Sequence, residues 1–171
     1  MFEPIFKFAI RKDLQDSEIS FLPTRATPRS AGWDVRAAQQ DRNPIIIRAG
    51  MMEKIPLGFR TFCPEGWWFE LKPRSSTFAK KNLHCLYGTI DEDYEGQLIL
   101  AVQYIPNLPT TSYANFTPDS IHIEFGEALG QIIPVKRQEM IIEKIPNEEY
   151  DYLCKKRNAE RGAGGFGSSD K

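Results

Sequence analysis

Residues 88–96 contain the residue types that acid–base or metal chemistry requires. Four carboxylates and one tyrosine lie between Gly88 and Gly96, with apolar runs at 83–87 and 98–102 on either side. An apolar run, a turn and a second apolar run predict a β-hairpin, with glycines where the backbone needs a positive φ. The carboxylates are therefore expected at or near the end of a hairpin.

This acidic segment has two other interpretations. Asp91, Asp93, Glu95 and Gly96 match the first, third, fifth and sixth positions of a calcium-binding loop, but Val102 stands at its last ligand position. The flanks also resemble strands rather than helices, so the calcium motif is excluded. A solvated acidic turn stays open, since clustered charges usually mark exposed surface.

Composition indicates a soluble intracellular protein. The 171 residues are expected to form one domain at 1–160, followed by a glycine-rich arm at 161–171. Three cysteines lie far apart without metal-ligand spacing, which favours free thiols in a reducing cytoplasm. No signal-peptide or membrane-spanning run is present, and a net charge of −1 predicts no membrane or direct nucleic-acid partner. A small anionic ligand, held by local arginines and amides, is the better expectation.

The elements that must position these groups are short strands. Residues 5–11 alternate between apolar and polar, and Gly or Pro recurs at nearly every tenth position after Pro44. This punctuation predicts an all-β barrel or sandwich. Two short helices are expected, at 75–81 and at 148–156 with Asn147 as its N-cap. Residues 104–120 are interpreted as an extended surface loop.

The arm at 161–171 also contains groups that could bind a ligand. Its glycines satisfy the dinucleotide pattern G-x-G-x-x-G, but no strand leads into it and no helix follows, so that function is excluded. A frayed end is one interpretation. The other is a flexible segment whose single cation, Arg161, and single ring, Phe166, close over a phosphate and a base.

Five segments, in order, resemble the motifs of the trimeric dUTPase family: 31–34, 73–76, 88–94, 126–131 and the arm at 161–171. The resemblance covers roughly residues 20–171, and five ordered motifs are far more specific than any one. It implies a β-rich, barrel-like (β-clip) subunit in a homotrimer, with each site between subunits and closed by an arm. The implied reaction is magnesium-dependent hydrolysis of dUTP to dUMP and pyrophosphate, which limits uracil in DNA and supplies dUMP for dTMP synthesis.

Asp91 matches the catalytic aspartate of that family. An aspartate with an ordinary pKa of ~3.9 is ionised at neutral pH and can accept a proton from the attacking water. Tyr94 matches the ring on which the family stacks deoxyribose, leaving no room for a 2′-hydroxyl; the alternative is a core aromatic. Glu92 and Asp93 are interpreted as structural or solvated.

The resemblance assigns the triphosphate to a second set of residues. Arg74, Ser75, Ser76 and Gln131 match phosphate-binding positions, and hydroxyls and free amides at a helix start suit an anion. Asp34 matches the aspartate that reaches Mg²⁺ through a water molecule. The alternatives are N-capping for the two serines and a loop hydrogen bond for Asp34.

Uracil is expected to bind the backbone between Cys85 and Ile90, including Thr89, since strand amides and carbonyls can imitate a pairing edge. Some relatives have asparagine at the position of Cys85, so a side-chain contact there stays open. In the arm, Phe166 matches the ring that stacks on uracil, Arg161 matches the arginine on the γ-phosphate, and Gly167 adds a backbone contact.

Two rival functions fit parts of the same sequence. The dCTP deaminase family shares this implied fold, but its general-base glutamate falls on Ala101 here, so deamination lacks a proton shuttle. The arm also differs from that of the deaminases. The second rival function is that of a non-catalytic trimer that binds nucleotide or a protein. Its binding surfaces would be residues 104–120 and the pair Trp67 and Trp68. Intact Asp91, Arg161 and Phe166 argue against loss of catalysis, while a second, partner-binding role stays open.

Overall fold

The structure is a computed structural model that describes residues 3–106 and 119–158. The chain divides into two compact units, Met1–Arg137 and Gln138–Lys171. Three predicted site residues, Arg161, Phe166 and Gly167, lie outside the described residues, as does most of the predicted 104–120 loop. Their assigned roles, and the domain boundary at residue 160, stay predictions.

The first unit is built from strands. They are β1 (Lys7–Ile10), β2 (Trp33–Arg36), β3 (Ile45–Arg48), β4 (Met52–Pro56), β5 (Phe59–Phe62), β6 (Trp67–Pro73), β7 (Leu83–Cys85), β8 (Gly88–Ile90), β9 (Ile99–Tyr104), β10 (Ser120–Ile123) and β11 (Ala128–Lys136). Helix α1 (Ser75–Lys81) follows β6, and a short 3₁₀ helix (Lys12–Leu14) follows β1. The second unit contains helix α2 (Asn147–Arg157). The prediction of an all-β fold with one or two short helices is confirmed.

The strands form four antiparallel sheets within the described ranges. The largest has the order β2-β11-β6-β8, a second has the order β4-β9-β7, and β1-β5 and β3-β10 are two-stranded. None of these described sheets closes on itself. The largest sheet carries most of the predicted site residues, so its register decides how far apart they lie.

The core of the first unit lies between these sheets. In β9, Leu100, Val102 and Tyr104 are buried and alternate with more exposed residues, the period of two expected for a half-buried strand. Leu71 and Ile132 add buried aliphatic side chains from β6 and β11. Each such side chain contributes about 1.5–3 kcal/mol on burial. The core therefore holds the sheets that carry the site in fixed relative positions.

The predicted hairpin around residues 88–96 is only partly correct. Strands β7 and β9 do pair, with Cys85 opposite Val102. Between them, β8 leaves that sheet and pairs with β6, with Gly88 opposite Leu71. Neither Gly88 nor Gly96 has a positive φ, contrary to the prediction. Space is the constraint instead, since a Cβ at Gly96 would collide with the Tyr94 ring.

The helix boundaries required two corrections. The N-cap of α1 is Arg74 rather than a serine, and it makes no side-chain capping bond. The N-cap of α2 is Pro146, so Asn147 is the first helical residue rather than the cap. Proline suits the start of a helix because its missing N–H would have no intrahelical partner there. Of the helices described, none is long and apolar enough to cross a membrane.

Candidate active site

One group of predicted site residues lies at the end of the largest sheet where β6 leads into α1. Asp34 on β2 is directly opposite Gln131 on β11. Arg74 follows β6, and its Nε lies 3.3 Å from Asp34 Oδ1. The Arg74 Nη1 also donates to the Ala128 carbonyl at 3.4 Å. Asp34 therefore forms an ion pair with the cation that directly follows β6.

Short contacts with β11 fix the start of α1. The Arg74 amide and the Thr77 hydroxyl both donate to the Leu129 carbonyl, at 2.9 and 2.6 Å. Gln131 Nε2 donates to the Pro73 carbonyl at 3.3 Å. A Cβ on Gly32 would collide with the Gln131 side chain, so a larger residue there would force Gln131 to move. The predicted Ala-Gly-Trp-Asp and Gly-Gln motifs thus meet beside the Arg-Ser-Ser motif.

The two serines occupy the first two positions of α1. Neither hydroxyl bonds another group in residues 3–106 or 119–158, so the N-capping interpretation is not supported. Amides in the first turn of a helix have no intrahelical acceptor. An anionic group can therefore contact the hydroxyls of Ser75 and Ser76. It can also contact the Arg74 guanidinium, which lies between Asp34 and solvent.

The carboxylate loop, residues 91–96, begins at the opposite end of the same sheet. Because Ile90 is opposite Phe69, the next residue, Asp91, is level with Trp68. Asp91 is exposed, and no hydrogen bond or ion pair joins its carboxylate to a described residue. It lines a cleft of about 450 Å³ whose other lining residues are Trp67, Trp68, Thr89, Glu92, Asp93 and Arg137.

Tyr94 is not a core residue. Its side chain is 43% exposed, and its hydroxyl donates to the Gln97 carbonyl at 3.1 Å. Its amide donates to the Asp91 carbonyl at 3.2 Å, which closes a tight turn directly after the aspartate. The bond to Gln97 holds the hydroxyl end of the ring, and the exposed part of the ring is open to contact with a flat ligand group.

The predicted uracil-binding segment is divided between two sheets. Thr89 is exposed on β8 and Ile90 is half-buried against the core, whereas Cys85 lies on β7. Burial raises the pKa of the Cys85 thiol to about 11, so this group is a neutral thiol at pH 7. A contact between Cys85 and uracil stays a prediction.

The predicted catalytic and phosphate-binding groups are not together within one chain. Residues 68 and 73 are five positions apart on β6, which corresponds to about 17 Å along an extended strand. Asp91 is level with Trp68, while Arg74, Ser75 and Ser76 lie beyond Pro73. A single extended substrate would have to span that distance to contact both groups in one subunit.

Gly66 and Arg137 join the site through Glu92, although the sequence did not assign them to it. Glu92 accepts a bond from Arg137 at 2.7 Å and another from the Gly66 amide at 2.9 Å. Only folding brings positions 66, 92 and 137 together, so local sequence contains no signal of the contact. The interpretation of Glu92 as structural was in the right direction but did not identify its partners.

Magnesium would have to be held by few protein ligands. The described ranges contain no group of three or more His, Cys, Asp or Glu side chains able to hold a metal. Asp34 is a single half-buried carboxylate whose Oδ1 faces Arg74. One carboxylate acting through water fits a Mg²⁺ ion that arrives with its own waters and phosphate ligands, because Mg²⁺ dehydrates reluctantly.

The chain matches one family model and curated relatives over most of its length. The family model described as dUTPase matches residues 19–170. A deoxyuridine 5′-triphosphate nucleotidohydrolase of Maricaulis maris is 32% identical over 160 residues, which cover 92% of this chain and 93% of that protein.

Solved structures share the fold at lower identity. A variant of the Staphylococcus bacteriophage 80alpha dUTPase with dUpNHpp has a TM-score of 0.73 at 21% identity, covering 96% of this chain and 98% of that one. A mutant dUTPase from phage phi11 of S. aureus, in which a structural Mg(II) ion is coordinated, has a TM-score of 0.66 at 19% identity and covers 82% and 96%. With a family model matching almost its whole length, this chain belongs to the dUTPase family.

Proposed function

We propose that this protein is a dUTP diphosphatase in which Asp91 activates the water that attacks the α-phosphate, giving dUMP and pyrophosphate. Membership of the dUTPase family supports the reaction. The observation that carries the mechanism is the exposed Asp91 carboxylate, which faces a cleft and has no partner among the described side chains. A base must be ionised and unblocked to accept a proton.

The phosphates are bound by the group at the start of α1. Arg74 offers guanidinium N–H donors, and Ser75 and Ser76 offer hydroxyls directly beside it. Charge-assisted bonds to phosphate oxygens are stronger than neutral ones and hold a planar guanidinium in a fixed orientation. These residues therefore neutralise the triphosphate and align its α-phosphorus with the attacking water.

We also propose that Asp34 contacts a substrate-bound Mg²⁺ ion through water. When bound, Mg²⁺ would neutralise phosphate charge. Asp34 contributes one carboxylate, whose position is fixed by its cross-strand neighbour Gln131 and by Arg74. The phage phi11 relative, which coordinates a structural Mg(II) ion, supports a role for this metal in the fold family.

Tyr94 provides the sugar platform in this proposal. Its half-exposed ring is oriented by the bond from its hydroxyl to the Gln97 carbonyl, which opposes a shift that would admit a larger sugar. A 2′-hydroxyl pressed against the ring would lose its water without gaining a partner, which is costly. The ring therefore favours deoxyribose over ribose.

The active site is proposed to form between subunits of a homotrimer. Along β6, the level of Asp91 and the level of Pro73 are about 17 Å apart. This separation argues against a complete site in one chain. The second unit independently exposes an apolar run, with Met140, Ile141 and Ile142 at 79%, 100% and 81% exposure. Runs of this kind usually mark a protein contact, which supports assembly with other copies.

A mixing experiment tests the shared site. Asp91→Asn and Arg74→Met proteins, each of which has much reduced activity alone, are expected to regain part of the dUTP hydrolysis when unfolded together and refolded as mixed trimers. Some mixed sites would combine Asp91 from one variant with Arg74 from the other. Recovery is measured as pyrophosphate release, with each variant refolded alone as the control. No recovery in trimers shown to be mixed would indicate that each site uses one chain.

The substrate itself is tested with a nucleotide panel. We expect pyrophosphate release from dUTP and much less from dCTP, dTTP and UTP, because the backbone of 85–90 reads uracil and Tyr94 rejects ribose. Ammonia release from dCTP is measured in parallel, since it would reveal a deaminase. Equal release from all four nucleotides would contradict the proposed specificity, and no release from any would favour the non-catalytic alternative.

A further inference from the structure

The position of the Asp91 carboxylate depends on its backbone. Pairing between β8 and β6 fixes the chain up to Ile90, and the Tyr94 amide bonds the Asp91 carbonyl at 3.2 Å. Across 3–106 and 119–158, the carboxylate itself contacts no donor. Whatever anchors the backbone directly after Ile90 therefore sets the position from which the Asp91 side chain extends.

Glu92 supplies that anchor. Its Oε2 accepts the Gly66 N–H at 2.9 Å and the Arg137 Nη1–H at 2.7 Å. The Arg137 amide donates in turn to the Gly66 carbonyl at 2.8 Å, so the three residues are bonded in a closed ring. Bonds to a carboxylate from a guanidinium are among the stronger protein hydrogen bonds. The residue next to the base is thus bonded to two separate segments.

The two segments that hold Glu92 are themselves hydrogen-bonded next to the largest sheet. Gly66 has a φ of +78° in the turn before β6, closed by a bond from the Trp67 amide to Pro64 at 3.1 Å. Arg137 directly follows β11, whose last residue, Lys136, is opposite Trp67. Strands β6 and β11 are the two central strands of the largest sheet. Glu92 therefore ties the carboxylate loop to the centre of that sheet.

We propose that Glu92 is a positioning residue that, through Gly66 and Arg137, holds Asp91 in the orientation needed for proton transfer. This inference rests on the proposed role of Asp91. The alternative is that Glu92 only stabilises the fold. The positioning role and the structural role predict different effects on stability. The ion pair is partly exposed, 29% for Glu92 and 51% for Arg137, and ion pairs of that exposure add little to global stability.

The first test separates turnover from folding. Glu92→Gln keeps the size of the side chain and an oxygen for the Gly66 amide, but it loses the charge that holds Arg137. We expect kcat for dUTP to fall by about 10-fold to 100-fold, the effect of a small displacement of a reacting group. KM should change by less than about 3-fold, since the phosphate-binding group at the start of α1 is unaltered and Glu92 itself has no proposed substrate contact. The melting temperature should move by no more than about 2 °C.

Matched variants check that the effect comes from this contact. Glu95→Gln removes the same charge from the same loop, at an exposed residue with no bond to a described side chain, and should keep the original kcat. Arg137→Met should reproduce the loss of kcat, and Arg137→Lys should retain more activity. The Glu92→Gln, Arg137→Met double variant should be no slower than the slower single variant, because both break one contact.

Each remaining result contradicts the proposal. If Glu92→Gln turns over like Glu95→Gln, Glu92 does not position the base. If kcat falls only together with the melting temperature, or if the double variant shows additive losses, the role is structural. Asp91→Asn is measured alongside to keep the two proposals distinct. Full activity in that variant would remove the proposed base itself. A large loss of activity would leave the proposed base in place, and the result for Glu92 is then judged separately.

Discussion

Replacing Asp91 with asparagine is expected to lower kcat for dUTP by about 10²–10⁴, the usual contribution of a general base. Asparagine has nearly the same shape but cannot accept a proton from water. Asp91 bonds no described side chain, so its removal should leave the melting temperature nearly unchanged. Binding of a non-hydrolysable dUTP analogue should also persist. Initial rates, calorimetry and thermal unfolding measure these three quantities.

Asp93→Asn is the matched control for that experiment. Asp93 is exposed, lines the same cleft and, in the part of the chain described, forms no ion pair. It should therefore keep most of the turnover while losing the same charge. If both variants lose activity equally, the effect is one of local charge and not of a specific base. If Asp91→Asn keeps its turnover, Asp91 has no part in proton transfer.

Replacing Arg74 with methionine is expected to lower kcat/KM for dUTP by about 10-fold to 100-fold. A hydrogen bond to a charged group contributes about 1.5–3 kcal/mol, and each 1.4 kcal/mol is about a tenfold change. Methionine keeps the aliphatic stem but provides no donor for phosphate. The loss should be greater for dUTP than for dUMP, because the missing charge interacts with the outer phosphates. Rates and product-inhibition constants measure this difference.

Lys72→Met is the control for Arg74. Lys72 also lies near the end of β6, but its ammonium group pairs with Glu70 at 2.6 Å. Lys72→Met removes the same positive charge as Arg74→Met but leaves the contacts of Asp34 and α1 unaltered. Arg74→Met should also lower the melting temperature slightly, because Asp34 loses a partner 3.3 Å away. Equal losses of kcat/KM in both variants would indicate long-range charge and not direct phosphate binding by Arg74.

Local sequence determined the fold class and the candidate residues. Alternation in 5–11 and the frequent glycines and prolines predicted strands because side-chain period and turn chemistry are properties of a few adjacent residues. Helix α1 was predicted at its observed bounds for the same reason, from its serines and its terminal cations. The five motifs likewise identified Asp34, Arg74 and Asp91 by residue type and order alone.

Strand pairing could not be predicted in this way. The sequence suggests a simple hairpin from 83 to 102, yet β8 pairs with β6 instead. A short apolar segment can bond any exposed sheet edge, and the edge it joins depends on where the remaining strands lie. The N-caps of both helices were also misassigned, because one residue decides a cap and several neighbours were chemically suitable.

Only the tertiary structure decided how the candidate residues are grouped. It placed Asp34 opposite Gln131 and beside Arg74, but put Asp91 level with Trp68, about 17 Å of strand from Pro73. It also joined Glu92 to Gly66 and Arg137, residues separated by 26 and 45 positions in the chain. Sequence specifies which groups can do chemistry because that depends on residue type; which of them meet depends on sheet register, which is set by the packing of the whole chain.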